Sequence, residues 1–154
     1  MQKQVPNLGD VFWVPIEDGT LVLGQIVEIE KEVLNSITCA FFDCRRPPGG
    51  EMPLEFSRPI SVQFVTRDLF LSGRWQREAN HPVHVSKAAL PYRETKAREW
   101  VGAKVVGSGI ISKFLSAFYG LRNWAEMKDP AYYEALLLAG VVRRAYANPA
   151  IHRA

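Results

Sequence analysis

Four of the five aspartates, two cysteines, a close histidine pair and two small arginine clusters are the side chains of this 154-residue chain that could do chemistry. Asp10, Asp18, Asp43 and Asp68 could in principle act as paired carboxylates in acid–base work. Each falls at a strand end, a turn or a helix start, where aspartate bonds neighbouring amides, so the pattern assigns them structural roles. His81 and His84 straddle Pro82. Residues three apart in an extended segment point to opposite faces, a poor geometry for a shared metal. Cys39 lies in an apolar run, and Cys44 follows Asp43, whose charge raises a thiol pKa, so neither looks activated. No Gly-x-Ser-x-Gly occurs. Residues 102–109 contain a lysine among glycines but lack the Gly-Lys-Ser/Thr order that aims amides at a phosphate, and they read as a connector. The sequence therefore predicts no enzyme and no cofactor.

Cations and aromatics suggest a different chemistry. Arg45 and Arg46, with Arg143, Arg144 and Arg153, could contact phosphates, and Trp13, Phe41, Phe42 and Trp75 could stack bases. The basic clusters are short and interrupted. The aromatics lie on strand-like segments whose patterning calls for burial, worth about 2 to 3 kcal/mol per ring. A nucleic-acid-binding module on a small barrel-like sheet is thus the alternative reading.

The elements that must position these groups begin with a hairpin. Two apolar runs flank Glu17-Asp18-Gly19-Thr20, where Gly19 can take a positive φ. Residues 11–16 are apolar on both alternations, which predicts a strand covered on both faces. Over 21–29, Leu21, Leu23, Val27 and Ile29 fall on one face and Gly24 on the other, where it permits a bend or a close approach. Residues 36–42 read as a third strand covered on both sides. Residues 43–57, with three prolines and two glycines, read as the longest loop of the first half. Residues 60–66 alternate, with Ile60, Val62 and Phe64 inward and Ser61 and Gln63 outward. Asp68 should cap a helical turn that Gly73 stops, before a strand around 74–77. Residues 86–90 and 94–101 could each form a short helical stretch. An amphipathic helix is predicted from residue 110 to about 124, and another from Asp129-Pro130 to about 139, stopped by Gly140. Whether the tail from Val141 is ordered stays open, since chain ends fray unless tied down.

At 47% hydrophobic and 23% charged, the chain can bury a core in one domain, with 8–82 as its β-rich core and 83–154 as a mainly helical extension. No run is long enough to span a bilayer, no export signal is seen, and two cysteines suit a reducing cytoplasm. Net charge is +3, but residues 1–80 carry 8 basic and 11 acidic side chains whereas 81–154 carry 11 and 5. An acidic half precedes a basic half.

The order Gly-Asp-Val-Phe, Pro, Asp-Gly, Gly-Gln-Ile, Phe-Phe-Asp, Arg-Asp and Ser-Gly-Arg-Trp resembles the Imm26 family of immunity proteins from bacterial polymorphic toxin systems. The matching positions are Gly9, Asp10, Pro15, Gly19, Gly24, Asp43, Asp68, Gly73 and Trp75, a set of turn formers, caps and an aromatic that reads as fold determinants. The resemblance implies a non-enzymatic protein that neutralises a cognate toxin domain by binding it. The expected fold is α+β, a strongly bent antiparallel sheet followed by two or three packing helices. The loop bearing Arg45, Arg46, Glu51 and Glu55 is the candidate for partner contact, since a rigid sheet tolerates change in its loops. The toxin's identity and the oligomeric state stay open at this point.

Overall fold

The computed structural model describes residues 3–29, 36–83, 85 and 104–146. The hairpin forms as its turn chemistry dictates. β1 (Asp10–Pro15) pairs with β2 (Leu21–Glu28) from Val11 opposite Gln25 to Pro15 opposite Leu21. Asp18 accepts from the Thr20 amide and hydroxyl, and Gly19 turns the chain at φ 83°. There follow β3 (Ser36–Arg46), β4 (Pro59–Thr66), the single turn α1 (Asp68–Leu71) and β5 (Gln76–Asn80). The second half supplies β6 (Val105–Val106), α2 (Ser108–Phe118), a 3₁₀ turn at Trp124–Glu126 and α3 (Pro130–Glu134).

The strands form one sheet in the order β5-β1-β2-β3-β4-β6. Five run antiparallel to their neighbours, and β6 pairs parallel with β4. The α+β class is as expected. The sheet is open rather than closed into a barrel, and β6 makes it mixed rather than wholly antiparallel.

Both faces of the sheet are covered, which is why β1 and β3 are apolar on both alternations. On one face Phe12, Ile26, Cys39, Phe41 and Trp75 pack with Ile111, Phe114, Leu115 and Phe118 of α2. At its centre Phe12 stacks on Trp75 at 5.3 Å, with Phe41 and Phe70 edge-on. Gly24 lies opposite Phe12, and a Cβ there would sit 2.6 Å from the Phe12 ring. On the other face Val11, Trp13, Leu23, Ala40 and Phe42 are covered in part by Leu54 and Phe56.

Several expectations require correction. β3 continues through Arg46, so the loop begins at Pro47 and Asp43, Cys44, Arg45 and Arg46 are strand residues. Val27 is skipped in the β2–β3 register, and this bulge turns Ile29 to the α2 side, away from Leu23 and Val27. Ile60 is likewise skipped between Phe41–Ser61 and Phe42–Pro59, which separates it from Val62. Ser61, expected outside, is fully buried and donates to the Leu136 carbonyl. Asp68 is the first helical residue of α1, not its cap; Arg67 holds the cap position without a side-chain bond. α2 ends at Phe118, where Gly120 takes φ 79°, and α3 ends at Glu134. Its start is as expected, with Asp129 accepting from the Tyr132 amide and Pro130 in the first turn. The tail is tied down at Arg144, whose amide donates to the Phe118 carbonyl, 2.8 Å away. The short helical stretches expected at 86–90 and 94–101 lie outside the described residues, as do His84, His152 and Arg153.

Candidate partner-binding surface

The four aspartates are spent on structure. Asp10, buried at the start of β1, accepts from the Asn7 amide, Arg77 and Asn80, and so fixes β5 against β1. Asp18 closes the hairpin turn; slight burial works against its charge, but Thr20 and then Arg45 outweigh this and lower its pKa. Asp68 accepts from the hydroxyls of Thr66 and Ser108, which hold its carboxyl below the ordinary range and join α1 to the start of α2. Asp43 accepts from the Tyr119 hydroxyl at 2.8 Å and from Arg144 at 3.0 and 3.1 Å.

The remaining family positions are also accounted for by geometry. Gly9 turns at φ 88°, and a Cβ there would meet the His81 carbonyl oxygen at 2.5 Å. Pro15 ends β1, Gly73 follows α1 with φ 85°, and Trp75 is fully buried in the aromatic cluster.

Both thiols are free and buried. Burial pushes the Cys39 thiol well up. It also raises Cys44, where the charges of Glu55 and Asp43 add to the effect, so both stay protonated at neutral pH. Among the described residues no group of three His, Cys, Asp or Glu side chains could hold a metal, and no helix is long and apolar enough to cross a membrane.

The arginines that might have held phosphate face inward or sideways onto aromatic rings. Arg45 lies 4.4 Å over Tyr119 and 3.7 Å from Asp18. Arg46, its neighbour on the opposite face of β3, lies 4.7 Å over Trp13 and donates to the Gly50 carbonyl at 2.7 Å. Arg143 covers Trp124 and pairs with Glu134, and Arg144 covers Phe118 and Tyr119 while binding Asp43. These contacts are cation–π interactions reinforced by ion pairs, and they consume the cations' best directions. Tyr119, at their centre, has its phenol pushed up in pKa by burial and then by Asp43, so it remains a hydrogen-bond donor. Nothing in the periodicity pointed to Tyr119, which lies just past the end of α2.

The loop of residues 47–58 is where the expected contact residues diverge. Leu54 and Phe56 pack onto the second face of the sheet, Phe56 edge-on to Phe42 at 5.2 Å. The Gly50 amide closes a turn onto the Pro47 carbonyl, the Cys44 thiol donates to the Pro53 carbonyl, and the Asp43 amide is bonded to the Arg58 carbonyl. The loop is therefore held at its middle and both ends. Glu51, Met52, Pro53 and Glu55 are exposed. Glu55 accepts from the Ser57 amide, and the Ser57 side chain and then this amide lower its pKa. Met52 and Pro53 separate two clefts. One, about 530 Å³, lies between the loop and β5; the other, about 440 Å³, reaches toward Asp43, Arg58 and Tyr119.

A protein-family model described as immunity protein 26 (Imm26) matches residues 7–98, more than half of the chain. No curated protein and no solved structure matches it. The matched segment contains the hairpin, β3, β4, α1 and β5, together with the loop that crosses the second face. By that match, the chain belongs to the immunity protein 26 family.

Proposed function

We propose that this chain is a non-enzymatic immunity protein that binds and neutralises a cognate toxin domain of a bacterial polymorphic toxin system in the cytoplasm. The family match over residues 7–98 carries the reading. The site chemistry agrees with it: Asp10, Asp18, Asp43 and Asp68 are engaged in a turn, hydrogen bonds and ion pairs, and both thiols are protonated. Shielding needs only a rigid surface of about 1,000 Å² or more in total, which a two-faced sheet with a braced loop can present. α2, from the second half of the chain, is seated on the sheet.

Engagement of Arg45, Arg46, Arg143 and Arg144 with rings, carboxylates and a backbone carbonyl speaks for a protein partner over nucleic acid. The test is co-expression with the toxin encoded beside it. Protected cells and a stoichiometric complex are the expected result. Unprotected cells, or affinity for mixed oligonucleotides that collapses with salt, would overturn the reading.

A further inference from the structure

We infer that the cleft between the 47–58 loop and β5 is the docking point for a lysine or arginine side chain presented by the protein partner, with Met52 as the apolar wall beside it. The inference rests on the toxin-binding reading above and adds the chemistry of the contact.

Among the described residues, Arg46, Gly50, Glu51, Met52, Pro53 and Glu78 line this cleft. Glu51 lies on the loop and Glu78 on β5, both exposed, and among the described residues neither has a cation within ion-pair distance. Arg46 lies over the Trp13 ring and donates to the Gly50 carbonyl. Among the described residues, two carboxylates face the cleft against this one guanidinium, which leaves a net negative charge. The resulting electrostatic preference is for a cation.

Met52 is 42% exposed although Leu54 and Phe56 beside it are packed down. An apolar group held out by a braced backbone supplies the stem contact that a long basic side chain seeks, while its charged head reaches Glu51 and Glu78. Bracing matters energetically. Three prolines and the bonds to the Pro47 and Pro53 carbonyls leave little loop entropy to lose on binding. The first half of the chain, which carries this cleft, is also the acidic half. A basic partner surface would be steered to it.

The experiment measures affinity of the full chain for the purified product of the adjacent toxin reading frame. Wild type is compared with Glu51→Lys/Glu78→Lys, with Met52→Asp and with a distant control, Glu126→Lys. Thermal melting of each variant checks folding. The expected result is binding by wild type and control, a loss of about 30-fold or more in each cleft variant, and a smaller salt dependence in Glu51→Gln/Glu78→Gln. Cleft variants that fold and bind within about twofold of wild type would overturn the docking point while leaving the toxin-binding reading intact. Failure of wild type itself to bind would overturn both.

Discussion

Asp43 on β3 and Arg144 in the C-terminal segment are 101 positions apart and form a two-point carboxylate–guanidinium pair at 3.0 and 3.1 Å. The pair joins the family-matched segment to the part of the chain beyond it. Arg144 completes the joint by lying over Phe118 and Tyr119, so charge and ring contacts act on the same side chain. Asp43→Ala removes the acceptor for both Arg144 and the Tyr119 hydroxyl. Because the pair is partly solvent-screened, the expected cost is about 1 to 2 kcal/mol. Hydrogen exchange should quicken at residues 141–146 and stay unchanged in β1 and β2.

Gly24→Ala tests the close approach on the first face. The new Cβ would fall 2.6 Å from the Phe12 ring, which cannot retreat because it is stacked on Trp75. Overpacking of this kind costs about 1 to 3 kcal/mol. Chemical denaturation should report that loss, and near-UV circular dichroism should change as the Phe12–Trp75 stack shifts.

Gln4 is a third test, in a residue that no sequence pattern singled out. It is buried, donates to the carbonyls of Phe70 and Trp75, and accepts from the Arg77 amide. It thereby ties the N-terminal segment to the α1–β5 connection. Gln4→Ala removes these three bonds, though the Phe70 carbonyl keeps the Gly73 amide, and should destabilise by about 1 to 3 kcal/mol, measurable as a lower denaturant midpoint.

Asp68 gives a pH dependence. Thr66 and then Ser108 hold its carboxyl below the ordinary aspartate value of 3.8. A depressed folded-state pKa means the contribution is complete above that ordinary value and is lost as the pH falls from it through the lower folded-state value. Acid unfolding of Asp68→Ala should therefore be less steep than wild type in this window, with the two profiles parallel at neutral pH. Profiles of identical slope throughout would contradict the assignment.

Much of the sheet was legible because local chemistry and burial agree there. Gly19 needed its positive φ, Gly24 needed the space taken by Phe12, and the double-sided apolarity of β1 and β3 reflects two covered faces. Asp129-Pro130 marked a helix start for the same local reason. What the sequence hid is non-local. Bulges at Val27 and Ile60 reverse side-chain faces without any signature residue, so Ile29 and Val62 fall on sides that simple alternation misassigns. Asp43 to Arg46 look like loop because they are polar and precede two prolines, yet their side chains find Tyr119, Arg144 and Trp13 across the fold. Of the contact residues proposed from sequence, Arg45 and Arg46 are held internally, Glu55 is bonded to Ser57, and Glu51 borders the cleft between the loop and β5. Met52 and Glu78 become visible as its neighbours only when the loop is seen folded over the sheet.

The parallel pairing of β6 with β4 carries one more consequence. Phe64 and Val65 face Val105 and Val106, yet the matched family segment stops at residue 98. A chain trimmed at that boundary would leave β4 with a bare outer border of amides and carbonyls, a template on which further copies can add by hydrogen bonding. Trimming should therefore yield self-associating material rather than a smaller working protein, because the residues past the family boundary keep the sheet from growing.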